Sequence, residues 1–209
     1  ASYPFVDLPS GDTLRCKLFP ADKFYKISLY FEGRIKYNEV NEKSEFRGGN
    51  AMDISYNCEN QKFNYRVCAM IIAENKILAM HDERSPYFYL PGGRVKMGET
   101  AEQAVVREVQ EELGVTPKIT RPLWLNQAFF TEDVDNLHYH ELCIYFLVDI
   151  SETTLLERGN VFTLTEGKHI HTFEWLEFDR LKDEYFYPLF LKKAIYDLPD
   201  EFTLRTELE

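Results

Sequence analysis

The hydrophobic pattern changes near residue 60 and divides the chain into two parts. Before that point the chain is polar and rich in turn formers, and only Phe24–Phe31 clearly predicts a strand. Residues 34–37 are a candidate hairpin partner for it, and residues 52–56 are a second candidate strand. From residue 65 to residue 73 a continuous apolar run instead predicts a strand buried on both faces.

The pattern after this run predicts further strands, followed by a helix near the end of the chain. The expected elements are strands at 77–80, 87–90, 123–131, 141–150 and 171–178 and a helix at 187–196 with Pro188 near its first turn. Together they predict an α+β fold in which a mixed β-sheet lies between helices. We expect three regions: an N-terminal extension with β-strands at 1–60, a main domain at 61–199 and a polar, frayed tail at 200–209.

One helix is predicted with both of its ends. Its apolar positions form a stripe about 100° wide on one face, and they are Ala101, Val105, Val109 and Leu113. Thr100 followed by Gln103 is typical of a capping box, which places the start of the helix at Thr100. Gly114 indicates the end, because glycine adopts the left-handed terminal conformation without steric cost.

Carboxylates are concentrated on this helix. Glu108 and Glu112 stand one turn apart at the border of the apolar stripe, and Glu111 lies on the adjacent edge. Because neighbouring like charges on a helix repel by roughly 0.2–0.5 kcal/mol per pair, their grouping suggests that a cation lies between them. Their hard oxygen atoms suit Mg²⁺, with Mn²⁺ as a second option. A solvated helix face is the alternative, and it suits Glu102 and Gln110 better.

Residues 93–115 resemble the Nudix box. The matching positions are Gly93, Glu99, Arg107-Glu108, Glu111-Glu112 and Gly114, with aliphatic residues at Val109 and Val115 and the lead-in Leu90-Pro91-Gly92. The resemblance is strongest over 87–117 and extends more weakly over 62–198. It implies the Nudix-type α/β/α sandwich. It also implies that water, activated by a divalent metal, cleaves the pyrophosphate bond of a nucleoside diphosphate linked to another group.

The same resemblance implies roles for individual residues. It assigns metal binding to Glu108, Glu111, Glu112 and the carbonyl of Gly93, and metal or loop contacts to Glu99. Arg107 is expected to orient the carboxylates by bidentate hydrogen bonds, which a lysine cannot make. The general base is either Glu111 or Glu166, which is expected on a loop at 164–168. Four histidines lie near these segments, and we expect structural roles for them: His138, His140, His169 and His171.

Substrate contacts are less defined. Arg84 and Arg94 are candidate phosphate ligands, with surface salt bridges as the alternative. The candidates for stacking on a base, with core packing as the alternative, are Phe129, Phe130, Tyr87 and Tyr89. The box helix most resembles the mutator-type branch, which acts on nucleoside triphosphates. Residues 128–131 lack the proline expected of ADP-ribose hydrolases and the tyrosine expected of dinucleoside-polyphosphate hydrolases.

Composition narrows the class of protein. The chain has 209 residues, 44% of them hydrophobic, and a net charge of −11, which argues against a nucleic-acid backbone as the partner and leaves a small nucleotide. Four scattered cysteines and no membrane-length apolar run predict a cytoplasmic protein without membrane contact. A homodimer is left open. The alternatives to an enzyme are a nucleotide-sensing module on the same scaffold and a structural calcium site.

Overall fold

The computed structural model describes residues 6–7, 13–21, 24–31, 52–132 and 135–208. The chain forms two compact units, Ala1–Gly48 and Gly49–Glu209. In the first, an antiparallel sheet has the order β1 (Val6–Asp7), β2 (Thr13–Ala21) and β3 (Phe24–Phe31). The predicted strand at Phe24–Phe31 is confirmed, whereas β2 was not predicted. The candidate hairpin partner at 34–37 lies outside the described residues.

The second unit contains a nine-stranded mixed sheet within its described residues. The strands are β4 (Ser55–Cys58), β5 (Gln61–Ala73), β6 (Lys76–His81), β7 (Gly92–Arg94), β8 (Lys118–Thr131), β9 (His138–Asp149), β10 (Val161–Glu166), β11 (His169–Glu177) and β12 (Thr203–Leu208). Their order is β10-β11-β6-β5-β9-β8-β12, and both β4 and β7 also pair with β5. The pairs β5–β9 and β8–β12 are parallel and the others are antiparallel.

Helices cover both faces of this sheet. Helix α1 (Ala101–Leu113) packs on one face, and the short α2 (Leu191–Ala194) lies on the other. Two 3₁₀ turns, Leu155–Arg158 and Phe178–Arg180, complete the helical elements of this part of the chain. No helix in the described segments is long and apolar enough to cross a membrane.

Alternation along β5 shows the three layers directly. Val67, Ala69 and Ile71 belong to the core under α1, whereas Cys68 and Met70 belong to the core on the opposite face. Successive side chains of a strand point to opposite faces, so an apolar run of this length is what a sheet with two covered faces requires. The predicted α+β sandwich with a mixed sheet is confirmed.

Helix α1 begins and ends where the sequence predicts. The hydroxyl of Thr100 accepts from the backbone N–H of Gln103, and the Gln103 side chain accepts from the N–H of Thr100, which completes the capping box. Gly114 ends the helix in the left-handed conformation with φ 66°. The start of the box helix is therefore fixed by local chemistry.

The C-terminal tail is a strand, which corrects the prediction that it frays. β12 pairs in parallel with β8 from Thr203 opposite Trp124 to Leu208 opposite Phe129. Its side chains form no continuous buried face, so its hydrophobic pattern does not distinguish it from a loop. The backbone hydrogen bonds to the open edge of β8 define it instead.

The helix predicted at 187–196 is also wrong over most of its range, because only Leu191–Ala194 is α-helical. The Phe88 N–H donates to the carbonyl of Tyr185, and the Tyr187 N–H donates to the carbonyl of Phe88. These bonds hold the chain extended up to Tyr187, so a helix cannot begin there.

The boundary between the two units also differs from the expected one. It falls between residues 48 and 49, whereas the pattern change suggests residue 60. The candidate strand at 52–56 corresponds to β4 at Ser55–Cys58, which pairs with β5 and so belongs to the second unit.

Candidate active site

A cleft of about 620 Å³ opens beside the N-terminal loop of α1. Strands β5, β7, β8, β9 and β12 contribute residues to it, and α1 contributes one edge. The box residues that line it are Gly92, Gly93, Arg94, Arg107, Glu108, Glu111 and Glu112. Of the predicted metal-binding residues, the structure therefore brings Gly93, Glu108, Glu111 and Glu112 into one concave site, whereas Glu99 does not line it.

Arg107 is the central residue of the box. Its Nε donates to Glu99 Oε2 at 3.0 Å and its Nη2 donates to Glu99 Oε1 at 2.7 Å, which forms the predicted bidentate contact. Its Nη1 donates to Glu108 Oε1 at 2.7 Å and to Glu111 Oε2 at 2.9 Å. Nη2 also donates to the carbonyl of Arg94 at 3.0 Å. One guanidinium thus connects the loop, β7 and α1.

The glycines of β7 allow the box carboxylates to approach the sheet. A Cβ on Gly93 would lie 2.3 Å from Glu108 Oε1, so this position has no room for a side chain. The N–H of Gly92 donates to Glu112 Oε2 at 3.0 Å. Because β7 pairs with β5 through Gly93 opposite Val67, both contacts are anchored to the central sheet.

The three box glutamates differ in burial as the helical wheel predicts. Glu108 and Glu112 are 9% and 7% exposed, whereas the Glu111 side chain is 43% exposed. Burial raises the pKa of Glu108 above its ordinary value, and the hydrogen bond and charge of Arg107 only partly offset this. A buried carboxylate of this kind is stabilised in its charged form by an added cation.

The chemistry of these groups fits a divalent cation. Carboxylate oxygens at a cleft wall, one of them pressed against a glycine, are the hard donors that Mg²⁺ and Mn²⁺ prefer. Within the described residues, no group of three or more Asp, Glu, His or Cys side chains converges as a metal-ion site. Arg107 occupies oxygens of Glu108 and Glu111 instead, and Lys96 Nζ lies 3.9 Å from the other oxygen of Glu111.

Of the candidate substrate contacts, Arg84 and Arg94 line the cleft and Phe129 does not. The Arg84 guanidinium binds Asp82, and Arg94 lies 3.4 Å from Asp53 Oδ2, so both also form the ion pairs of the alternative interpretation. Phe129 lies in an adjoining cleft, which shares Phe130 and Tyr139 with the first, and its ring stacks on that of His140 with centroids 4.3 Å apart. Alternation along β8 explains this, because the next residue, Phe130, faces the box cleft.

Glu166 is placed differently from the prediction. It is the last residue of β10 and pairs with His169 of β11, so the expected loop at 164–168 shrinks to a two-residue turn. Its side chain lies outside the described part of the structure. Strand β10 was not predicted, although Phe162 and Leu164 alternate with threonines there and pack against the core.

The histidines form contacts of a structural kind. His169 Nδ1 lies 2.7 Å from Glu83 Oε1, and His138 Nδ1 lies 2.9 Å from the hydroxyl of Thr131. His171 differs because it is buried, lines the cleft and lies 3.8 Å from Asp82 Oδ2.

Several cleft residues have no counterpart in the sequence prediction. They are the polar side chains Asn64, Arg66, Asn126, Glu141 and Glu207 on the floor and Tyr185 and Tyr187 on one wall. The rings of Tyr185 and Tyr187 contact that of Tyr87, which together with Tyr89 is a predicted stacking candidate. In β8 and β9 the available signal is a polar residue at alternate positions within apolar strands. This signal identifies a face of the sheet but not the partners across it.

An acidic helix thus lies behind a glycine-containing strand on a three-layer sandwich, and three of its carboxylates line one cleft. Residues 62–196 match the family described as the NUDIX domain, and the chain belongs to that family. The resemblance of residues 93–115 to the Nudix box is thereby confirmed.

Parts of the chain are similar to individual known proteins. The chain is 39% identical over 87 residues to an ADP-ribose pyrophosphatase of Methanocaldococcus jannaschii, covering 40% of this chain and 49% of that protein. It is 71% identical over 28 residues to the 8-oxo-dGTP diphosphatase of Escherichia coli, covering 13% of this chain and 22% of that one. The matched stretches thus span half or less of these relatives. The mutator MutT protein of Bacillus halodurans is structurally similar, with a TM-score of 0.49 and 17% identity over 68% of this chain and 88% of that one.

Proposed function

We propose that the protein is a magnesium-dependent hydrolase that cleaves the pyrophosphate bond of a nucleoside diphosphate linked to another group. The observation that supports this most is the arrangement around Arg107, which binds Glu99 and holds Glu108 and Glu111 at the wall of a single cleft. An uncleaved pyrophosphate repels nucleophiles, so hydrolysis requires groups that neutralise its charge and orient water.

The box carboxylates Glu108, Glu111 and Glu112 would hold the cation, with the Gly93 carbonyl as a further donor. When bound, Mg²⁺ neutralises phosphate oxygens and lowers the pKa of water. Mn²⁺ satisfies the same donors. Arg107 acts through the carboxylates: it positions them and leaves Glu108 Oε2 and Glu111 Oε1 without a bond to the guanidinium.

Three arginines in the cleft are candidates for binding the phosphates. Arg84 and Arg94 line it beside the box. Arg66 joins them from β5, and its guanidinium has no hydrogen bond or ion pair with another described residue. Burial alone would lower the pKa of the Arg66 guanidinium. Nearby negative charge, chiefly that of Glu141, outweighs burial, so the net pKa is raised and Arg66 stays cationic. Arg66 is opposite Arg94 of β7 and lies two residues along β5 from Asn64, so it connects the box with the rest of the cleft floor.

The general base takes a proton from the attacking water. Glu111 is the exposed member of the box, and Glu166 is the rival at the end of β10. Both remain proposals. A general base only has to reach the water through one hydrogen bond, so burial does not distinguish the two candidates. The effect of replacing each of them on the catalytic rate does.

Two observations support the proposed substrate class, namely the names of the relatives and the net charge of the chain. The relatives named above are an ADP-ribose pyrophosphatase and an 8-oxo-dGTP diphosphatase, and both names describe a nucleoside diphosphate bearing a further group. A net charge of −11 opposes binding to a nucleic-acid backbone, so we propose a small-molecule nucleotide as the only partner that the cleft requires. The resemblance of the box helix to the mutator-type branch favours a nucleoside triphosphate.

A substrate panel tests this function. The protein is incubated with nucleoside triphosphates, ADP-ribose and a nucleotide sugar, with Mg²⁺, with Mn²⁺ and with a chelator, and the phosphorus products are identified. We expect a nucleoside monophosphate plus pyrophosphate or a sugar phosphate, and no product with the chelator. Binding of the same nucleotides without any turnover would favour the nucleotide-sensing module instead.

A further inference from the structure

A row of four residues crosses four adjacent strands on the floor of the cleft. Asn64 of β5 is opposite Glu141 of β9, Glu141 is opposite Ala128 of β8, and Ala128 is opposite Glu207 of β12. All four line the cleft. Neighbouring strands lie about 4.8 Å apart, so the backbones of Glu141 and Glu207 are roughly 10 Å apart with only a methyl group between them.

Amide side chains hold both carboxylates in place. Asn64 Nδ2 donates to Glu141 Oε2 at 3.3 Å, and Asn126 Nδ2 donates to Glu207 Oε2 at 2.7 Å. The hydroxyl of Ser55 in turn donates to Asn64 Oδ1 at 2.7 Å, which fixes the orientation of that amide. The other oxygen of each carboxylate has no hydrogen-bond partner among the described residues. Each is therefore an available acceptor.

A buried amide adds a second observation to the carboxylate row. Asn126 is only 2% exposed, lines the cleft, and its Oδ1 has no hydrogen-bond partner within the described part of the chain. Buried polar atoms are rarely left unpaired unless a ligand or water completes them. The floor of the cleft thus combines two carboxylates, each with an oxygen that lacks a donor among the described residues, and a buried amide oxygen that also lacks one.

An aromatic pair lies next to this row. The rings of Phe130 and Tyr139 stack with centroids 5.1 Å apart, and both line the cleft. Phe130 is two residues beyond Ala128 on the same face of β8, and Tyr139 is two residues before Glu141 on β9. A flat group lying over Ala128 therefore meets carboxylates on two sides and aromatic rings on a third.

We propose that this floor is the subsite for the nucleobase and that Glu207, which β12 brings to it, selects a guanine-type base. The proposal rests on the proposed function, because it takes the substrate to be a nucleotide. Guanine presents adjacent N1–H and N2–H donors that match a carboxylate. Adenine presents the N1 lone pair beside its amino group, and a lone pair facing a carboxylate is repelled. Arg66 lies between this floor and the box, which is where the phosphates of a bound nucleotide would pass.

The test uses binding of GMP and AMP, measured by calorimetry on the full chain. These nucleotides have no pyrophosphate bond, so the measurement does not depend on catalysis. We expect the wild-type protein to bind GMP at least about tenfold more tightly than AMP, as one bidentate base contact provides. In Glu207→Gln the amide can donate to adenine N1, so the ratio of the two affinities is expected to fall to within about threefold.

Two further variants make the result interpretable. Glu201→Gln makes the same chemical change at an exposed position that does not line the cleft, and it is expected to keep the wild-type ratio. Ala128→Val fills the gap between the carboxylates without altering charge, and it is expected to weaken GMP binding about tenfold or more. Ala128→Val also provides a readout if Glu207→Gln fails to fold.

Equal affinity of the wild-type protein for GMP and AMP, or an unchanged ratio in Glu207→Gln, would overturn the proposal. GMP binding that is unaffected by Ala128→Val would overturn it as well. Selective, Glu207-dependent binding in a protein that hydrolyses no nucleotide would support the subsite and reject the proposed hydrolysis. Hydrolysis of nucleotides by a protein that binds GMP and AMP equally would support the proposed hydrolysis and overturn the guanine subsite.

Discussion

The guanidinium of Arg107 binds the carboxylate of Glu99 through two parallel hydrogen bonds, Nε to Oε2 at 3.0 Å and Nη2 to Oε1 at 2.7 Å. Glu99 also accepts from the backbone N–H of Lys96 at 2.7 Å, so the pair fixes the loop that precedes α1. Since the same guanidinium reaches Glu108 and Glu111, the geometry of the carboxylates depends on its planar shape.

Replacing Arg107 with lysine tests this dependence. A lysine ammonium is a point charge that cannot bind three carboxylates in one plane, so Glu108 and Glu111 should shift. We expect kcat/KM in Arg107→Lys to fall by about 10²-fold, the size of effect that a small misplacement of catalytic groups produces. The measurement is steady-state nucleotide hydrolysis, with thermal unfolding to confirm the fold.

Arg180→Lys is the matched control. Arg180 also binds two carboxylates, those of Glu174 and Glu184, but it lies outside the cleft. The Arg180→Lys variant should therefore keep the wild-type kcat/KM. If Arg107→Lys retained more than half of the wild-type kcat/KM, the positioning role of Arg107 would be wrong.

Gly93→Ala tests the close approach of β7 and the helix. The new Cβ would lie 2.3 Å from Glu108 Oε1, so the carboxylate must move. The backbone of Gly93 lies outside the left-handed region, so the effect is steric. We expect a loss of about 10²-fold in kcat/KM.

Gly159→Ala separates loss of stability from loss of activity. Gly159 has φ 85° with nothing within 4 Å of the added Cβ, so an alanine there strains the backbone away from the cleft. It should lower the free energy of unfolding by about 1 kcal/mol while activity is kept. Similar losses of activity in both variants would show that Gly93→Ala acts only through folding.

The box was predictable because its signals are local. Thr100, Gln103 and Gly114 fix the helix ends through neighbours within a few residues, and the apolar stripe places Glu108 and Glu112 at its border. The family resemblance then supplied roles that periodicity alone does not.

The floor of the cleft could not be predicted in the same way. Asn64, Glu141, Ala128 and Glu207 become neighbours only through the register of four strands. Strand β12 has no apolar face, so its hydrogen-bonding partner, the open edge of β8, is invisible in the sequence. Residues of this kind are brought together by the sheet topology.

Asp82 predicts a pH dependence of stability. Its carboxyl group is buried, and burial alone would raise its pKa. The hydrogen bonds and charge of Arg84 outweigh burial, so the net pKa lies below the ordinary value. A group with a depressed pKa in the folded state stabilises the protein above its unfolded pKa of about 4, and this contribution disappears as the pH falls through the folded-state value.

We therefore expect Asp82→Asn to lower the free energy of unfolding by about 1.5–3 kcal/mol at pH 7, the usual contribution of hydrogen bonds to a charged group. Below pH 4 the difference from wild type should shrink, which urea unfolding at pH 7 and pH 3 can measure. Asp200→Asn, at an exposed position, is the control. A difference that stays constant across this range would contradict the account of Asp82.

The identity of the general base is tested by comparing Glu111→Gln with Glu166→Gln. The variant that removes the base should lower kcat at least tenfold and abolish the acid limb of the pH–rate profile. If Glu166→Gln leaves kcat unchanged, Glu166 is a solvated residue at the end of β10 and Glu111 is the remaining candidate.

The most direct test of the central claim is Mg²⁺-dependent hydrolysis by Glu112→Gln. The amide oxygen of the substituted side chain can still accept from the N–H of Gly92, so the fold should persist, while the charge that would hold the cation is lost. Glu102→Gln, at an exposed position of the same helix, is the control. Phosphorus NMR should show pyrophosphate bond cleavage by the wild type and by Glu102→Gln in the presence of Mg²⁺. It should show a rate at least about 10²-fold lower in Glu112→Gln. Cleavage at a near-normal rate by Glu112→Gln, or by the wild type in the presence of a chelator, would contradict the account.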